Sequence, residues 1–139
     1  MKNYLERIDD HVLQKLLEAE ILQISGTIDK ETHEYIESAI TISSAYGSPQ
    51  LLLRMNSGGG CLHSSLFIYD LLRSYHGGVI GVIIGTAMSG GNLIIQGCNQ
   101  RLTTRNSLLL VHELSFVTEL QILRRQKKAS EQLKDSILW

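Results

Sequence analysis

The chain has 139 residues, of which 43% are hydrophobic and 19% are charged, which fits one compact domain and excludes two domains of ordinary size. Its net charge is -1, from 13 Lys and Arg against 14 Asp and Glu, so no overall field attracts nucleic acid or an anionic membrane. No apolar run reaches the roughly 18 to 20 residues that span a bilayer, and the charged N-terminus lacks a signal-peptide pattern. These features predict a cytoplasmic protein whose partners include neither nucleic acid nor membrane.

The first part of the chain predicts a helix, a strand, a second helix and a second strand. Apolar residues at helical spacing indicate a helix within residues 11–20, and residues 21–24 begin a strand. Asp29 or Thr32 can cap the next helix. The apolar run at residues 51–55 is typical of a central strand that is covered on both faces.

The rest of the chain repeats this alternation and then changes to one long polar helix from residue 118. The predicted elements before that helix are a helix from residue 62 to about residue 76, a strand at residues 79–84, a small-residue turn at residues 86–91, a helix from residue 92, and strands at residue 102 and residues 108–111. Alternating strands and helices predict a layered α/β fold with parallel strand pairs.

Three consecutive glycines, Gly58 to Gly60, follow the second predicted strand and precede a helix. Backbone N–H groups in such a loop are unshielded by side chains, which suits an anion or a developing oxyanion. The segment lacks both G-x-x-x-x-G-K-[ST] and G-x-G-x-x-G, so no nucleotide site is predicted. A plain tight turn is the alternative.

Ser89 lies between a predicted strand and a predicted helix, in the segment A-M-S-G-G at residues 87–91. This segment is close to the G-x-S-x-G elbow, with alanine in place of the first glycine. An elbow would expose the serine hydroxyl and direct the Gly90 N–H towards a carbonyl oxygen that becomes negative. The alternative is that Ser89 only caps the following helix.

A serine nucleophile needs a base, and five histidines could supply it. His112 follows the apolar run at residues 108–111, at the carboxyl end of a predicted buried strand, where sites gather in open α/β sheets. The other four are predicted on the surface of early helices or beside the helix after the glycines: His11, His33, His63 and His76.

The two cysteines, Cys61 and Cys98, match no C-x-x-C spacing, which predicts reduced thiols rather than a disulfide. A zinc site would combine Cys61 and His63 with either His76 or His112, but this spacing matches no known ligand pattern. The sequence therefore predicts neither a metal nor a cofactor.

Five motifs occur in order along the chain: M-N-S-G-G-G at residues 55–60, I-Y-D at 68–70, G-T-A-M-S-G-G at 85–91, N-S at 106–107 and V-H at 111–112. Together they resemble the proteolytic subunit of the Clp protease, a self-compartmentalised serine peptidase, over roughly residues 21–138. The resemblance implies a ClpP/crotonase-like layered α/β fold in one domain. Its expected parts are an N-terminal helix at residues 1–20, an α/β head at 21–114 and a handle helix at 115–139.

Position by position, the resemblance implies that Ser89 is the nucleophile, that His112 is the general base, and that the N–H groups of Gly60 and Gly90 form the oxyanion hole. It implies an ATP-dependent serine endopeptidase that needs no cofactor and acts on polypeptides. It further implies a homo-oligomer of heptameric rings, stacked through the handle helices, and an AAA+ unfoldase as partner.

Three departures from the family pattern bear on activity. Gly58 stands where the family has proline, which makes the backbone more flexible. Gly90 replaces a bulkier residue, and Ser-Gly-Gly is similar to signal peptide peptidases, which pair serine with lysine. The family's acidic triad member lies beyond Trp139, so the chain is expected to be C-terminally truncated. Neither nearby acid is the expected substitute, because Glu113 should point away from His112 along the strand and Asp135 could reach the site only by folding back or from another subunit. Loss of the orienting acid can lower turnover by about 10⁴.

Two other classes of function stay open. The first is a non-catalytic or weakly active structural ring subunit that keeps the fold without the chemistry. The second is a crotonase-like acyl-CoA enzyme, since that related fold also builds an oxyanion hole from two backbone N–H groups. If the chain is a crotonase-like enzyme, its activity should not require Ser89.

Overall fold

A computed structural model describes residues 10–112. Within them strands and helices alternate as predicted, and no helix there is long and apolar enough to cross a bilayer. The elements are α1 (Asp10–Glu18), β1 (Ile21–Ile28), α2 (Lys30–Ala45), β2 (Leu51–Gly60), α3 (Leu62–Ser74), β3 (Val79–Met88), α4 (Gly90–Ile95), β4 (Gln100–Thr103) and β5 (Leu108–Leu110). The predicted handle helix, Glu113 and Asp135 lie outside the described residues.

The strands form one sheet in which every described pair is parallel, confirming the layered α/β prediction. The order is β1-β2-β3-β4, and β5 also pairs with β3. Residues 80–83 of β3 pair with β4, and residues 86–88 pair with β5. The carboxyl ends of β2, β3 and β5 therefore meet at the same edge of the sheet.

Helix α2 begins at a capping box that uses both predicted capping residues. The Thr32 N–H donates to Asp29 Oδ1 at 2.9 Å, and the Asp29 N–H donates to Thr32 Oγ1 at 3.2 Å. These bonds satisfy two backbone donors that the first turn of a helix leaves unpaired. The cap thus fixes where the chain leaves β1 and enters α2.

The core lies between one face of the sheet and helices α2, α3 and α4. Its largest buried side chains are Leu22, Ile24, Ile28, Ile36, Leu51, Leu53, Met55, Ile68, Leu72, Val79, Ile94 and Ile95. Along β2 the burial alternates, with Leu52 and Arg54 only half-buried. The prediction that this strand is covered on both faces is therefore wrong. Only one face of β2 is buried, although the residues on both faces of its first half are mostly apolar.

Strand β5 is exposed, and the prediction of a buried strand before His112 is wrong. Leu108, Leu109 and Leu110 are 48–58% exposed, and Val111 is 81% exposed. Within residues 10–112 this strand pairs only with β3, and no described helix covers it. Its apolar sequence therefore leaves an apolar surface beside the end of β3.

Both cysteines are free, as predicted, but their environments differ. Cys98 is 1% exposed, and burial raises the pKa of its thiol to about 12. Cys61 is exposed immediately before α3, where hydrogen bonding from the backbone and side chain of Ser64 lowers the pKa of its thiol. A lowered pKa increases the thiolate fraction at neutral pH, and the thiolate is the nucleophile.

We expect iodoacetamide at neutral pH to alkylate Cys61 and to leave Cys98 unmodified until the protein is unfolded in denaturant. Mass spectrometry of tryptic peptides measures both sites in one sample. Cys61→Ser is the control, because it removes the reactive thiol and leaves the native protein unlabelled. Equal alkylation of both cysteines in the native protein would contradict this expectation.

Candidate active site

Ser89 stands alone between β3 and α4, with helix beginning at the next residue. Its backbone has φ +50° and ψ -120°, a sparsely populated positive-φ conformation that costs a non-glycine residue about 1–3 kcal/mol. A sharp, strained strand-to-helix turn is typical of a nucleophile elbow. The prediction of a turn over residues 86–91 is therefore wrong in its length. Strand β3 continues to Met88, and Ser89 alone connects it to α4.

The capping alternative for Ser89 fails on its hydrogen bonding. Ser89 occupies the N-cap position of α4, but its side chain makes no capping hydrogen bond. Its carbonyl oxygen accepts from the Leu93 N–H at 3.1 Å, so the residue starts the helix through its backbone alone. The Ser89 hydroxyl is therefore not used to cap α4.

Gly59 allows β2 to pass against the elbow. Its φ is +101°, and a Cβ there would lie 2.8 Å from Ser89 Cβ and 2.9 Å from the Met88 carbonyl oxygen. Any side chain at this position would push β2 away from the serine. The sequence analysis predicts a loop at residues 58–60, and this prediction is wrong. Strand β2 continues through Gly60 and pairs there with β1.

Two polar residues that the sequence analysis did not single out hold β2 in place beside the elbow. The Ser57 hydroxyl donates to the Gly26 carbonyl oxygen at 2.6 Å and accepts from the Gly59 N–H at 3.0 Å. Asn56 Oδ1 accepts from the Thr86 N–H at 3.1 Å. Ser57 links β2 to β1, and Asn56 links β2 to β3. Two short polar residues at the end of an apolar strand were the available signal.

Gly60 and Gly90 lie side by side next to the serine. A Cβ on Gly90 would lie 3.6 Å from the Gly60 backbone nitrogen and would overlap the hydroxyl of Ser65. Ser65 is fully buried in α3, and its hydroxyl donates to the Cys61 carbonyl oxygen at 2.9 Å. Ser65 therefore occupies the space that a side chain at position 90 would need.

Pairing between β3 and β5 brings His112 to the elbow. The Ser89 N–H donates to the Leu110 carbonyl oxygen at 3.0 Å, which ties the serine to the end of β5. His112 follows two residues later and is exposed. One cavity of about 420 Å³ is lined by all four predicted site residues, Ser89, His112, Gly60 and Gly90.

The remaining lining of this cavity is mostly apolar. Leu62, Leu93 and Val111 supply the apolar part, and Asn92 and Gln96 supply two amide groups. None of the described lining residues is Asp, Glu, Lys or Arg. A volume of this size is typical of ligand sites, so the cavity can hold part of a substrate.

The other predicted roles of histidine are only partly met. His33 was expected at the surface, but its Nδ1 lies 3.0 Å from Ser64 Oγ and its ring packs on Phe67 at a centroid distance of 4.8 Å. Among residues 10–112, no group of three or more His, Cys, Asp or Glu side chains is placed to hold a metal ion. The zinc alternative at Cys61 and His63 therefore has no ligand set in this part of the chain.

The fold is that of the ClpP class of α/β proteins. A mutant ClpP1 from Listeria monocytogenes has a solved structure that matches this one with a TM-score of 0.72 and 20% sequence identity. The match covers 89% of this chain and 75% of the other. The ClpP-like layered α/β fold that the motifs implied is thereby confirmed.

The sequence model of the Clp protease family matches residues 5–136, and the chain belongs to this family. It is 30% identical over 114 residues to ATP-dependent Clp protease proteolytic subunit 1 of Borreliella burgdorferi, covering 80% of this chain and 58% of that protein. It is 27% identical over 112 residues to proteolytic subunit 3 of Streptomyces coelicolor, covering 78% of this chain and 52% of that protein. The chain thus spans about half the length of these curated relatives.

Proposed function

We propose that this chain is a Clp-type serine endopeptidase subunit that hydrolyses peptide bonds through an acyl-enzyme at Ser89. The observation that carries the proposal is the strained elbow at Ser89, which opens on the same cavity as His112, Gly60 and Gly90. Membership of the Clp protease family supports the same chemistry.

In the proposed reaction, Ser89 Oγ attacks the carbonyl carbon of the scissile peptide bond and transfers its proton to the His112 ring. The carbonyl oxygen becomes negative and accepts hydrogen bonds from the N–H groups of Gly60 and Gly90. A single oxyanion donor is worth about 10² to 10³ in turnover. His112 then gives the proton to the leaving amine, and a water molecule, deprotonated by His112, hydrolyses the ester.

The proposal extends to the assembly and its location. Curated relatives carry the names of ATP-dependent proteolytic subunits, which supports polypeptide substrates and coupling to ATP hydrolysis. An AAA+ unfoldase as partner and a cytoplasmic location are further parts of the proposal. The exposed leucines of β5 favour an oligomer such as stacked heptameric rings, because a contiguous apolar surface is typical of an interaction site. Light scattering after gel filtration measures the oligomer mass.

The test of the chemistry is labelling by an alkyl fluorophosphonate. We expect the probe to modify Ser89, identified in tryptic peptides by mass spectrometry, because the elbow presents its hydroxyl to a cavity shared with a base. Ser89→Ala should abolish the labelling, and Ser74→Ala, at the end of α3 and away from the cavity, should keep it.

Each alternative predicts a different result. An oligomer that is not labelled, under conditions that label a control serine hydrolase, would replace the proposal with a structural ring subunit. Full activity of Ser89→Ala on an acyl-CoA would replace it with a crotonase-like enzyme. The peptidase proposal would be supported if the probe labels Ser89 and if the wild-type protein cleaves peptides while Ser89→Ala does not.

A further inference from the structure

One face of α4, together with its C-cap residue Gln96, lines the cavity next to the serine. This face holds Asn92, Leu93 and Gln96, which follow Ser89 at spacings of three, four and seven residues and so lie on the same side. Asn92 is 8% exposed, and its Oδ1 accepts a hydrogen bond from Gln96 Nε2 at 3.0 Å. The two amides are therefore hydrogen-bonded to each other at one side of the cavity, Asn92 buried and Gln96 exposed.

This pair keeps one donor group and one acceptor for a ligand. Their mutual bond uses Asn92 Oδ1 and Gln96 Nε2, whereas Asn92 Nδ2 and Gln96 Oε1 make no hydrogen bond with the described part of the chain. Exchanging oxygen and nitrogen in both amides again leaves one acceptor and one donor group, so the result does not depend on how the amides are oriented. A primary amide offers both complements on neighbouring atoms, an NH₂ that donates and an oxygen that accepts, whereas a hydroxyl has to do both through one oxygen.

The rest of the lining favours a neutral side chain with an apolar stem. Leu62, Leu93 and Val111 contribute apolar surface, and no described lining residue carries a carboxylate, an ammonium or a guanidinium group. A charged side chain would lose its hydration here without gaining an opposite charge. A methionine side chain would fit the apolar part but would leave the two amide groups without partners.

We infer that this cavity selects peptides with glutamine at the residue whose carbonyl Ser89 attacks, and that Asn92 and Gln96 determine this specificity. The inference rests on the proposed function, since it concerns the substrate of the same serine. The glutamine carbonyl accepts from the Asn92 amide, its NH₂ donates to Gln96 Oε1, and its methylene groups pack on the leucines.

Peptidyl diphenyl phosphonates that differ only in this side chain test the inference, because Ser89 Oγ forms a bond to phosphorus while phenol leaves with the serine proton. We expect the glutamine analogue to label Ser89 about 3-fold to 10-fold faster than the methionine analogue, the usual worth of a neutral hydrogen bond. The glutamate analogue should label more slowly than either.

Gln96→Met should bring the glutamine-to-methionine ratio close to one, and it alters an exposed side chain, so the fold is retained. The matched control is Gln100→Met on the exposed strand β4, outside the cavity, which should keep the wild-type ratio. A wild-type ratio at or below one, or a ratio that Gln96→Met leaves unchanged, would overturn the inference.

The alkyl fluorophosphonate is measured in the same preparations to separate two kinds of failure. If it labels Ser89 while the phosphonates show no glutamine preference, the inference is overturned and the proposed peptidase chemistry stands. If neither reagent labels Ser89, the proposed function fails, and the inference fails with it.

Discussion

Replacing His112 with alanine is expected to lower peptide turnover by about 10⁴-fold or more, because the Ser89 hydroxyl then has no group to take its proton. His112 is exposed and follows β5, so the substitution removes no side chain from the core. The urea midpoint of unfolding should therefore stay at the wild-type value. A large loss of turnover with unchanged stability would assign the loss to chemistry.

The matched control for this variant is His63→Ala. His63 is an exposed histidine of α3 whose ring lies 6.5 Å from that of His33, and it is not among the described residues that line the cavity. Its replacement should leave turnover and the rate of fluorophosphonate labelling near wild type. Equal turnover in His112→Ala and wild type would remove His112 from the mechanism and direct the search for a base to other residues.

The order of elements could be predicted from sequence because each helix and strand carries its own periodic signal. The capping residues Asp29 and Thr32 were identified for the same reason, since a cap is a contact between residues three apart. Burial was predicted less well. The leucines of β5 look like a core strand, but a run of apolar residues does not encode whether another element covers it.

The same distinction applies to the candidate site: local sequence patterns identify some of its residues, and contacts between distant residues could not be predicted. The elbow at Ser89 has a local signature of small residues, and His112 was identified from its place after a strand and from the family motifs. The polar residues after the apolar run of β2 signal a role for Ser57, but the partners of Ser57 and Ser65 could not be predicted, because only the fold brings them near. Ser57 bonds Gly26, and Ser65 fills the space at Gly90.

The same steric relation bears on position 90, where the resemblance to the family implied a bulkier residue than glycine. Here even a methyl group would overlap the Ser65 hydroxyl and lie 3.2 Å from Ser65 Cβ. Two residues 25 positions apart therefore share one small volume between α3 and the start of α4. A larger residue at position 90 should therefore be tolerated only with a smaller one at position 65.

Gly90→Ala is accordingly expected to destabilise the protein by about 1–3 kcal/mol, the usual cost of overpacking, and to slow labelling of Ser89 by shifting the Gly90 N–H. Ser65→Gly removes both close atoms, at a cost of about 1 kcal/mol for glycine in a helix. The double variant should be more stable than the sum of the two single effects by about 0.5–3 kcal/mol. Urea unfolding measures this coupling, and the rate of Ser89 labelling in the double variant should recover with its stability.

Gly58→Ala is the matched control, because a Cβ there meets nothing within 4 Å. Additive effects of the Gly90 and Ser65 substitutions on stability would contradict the shared-volume explanation.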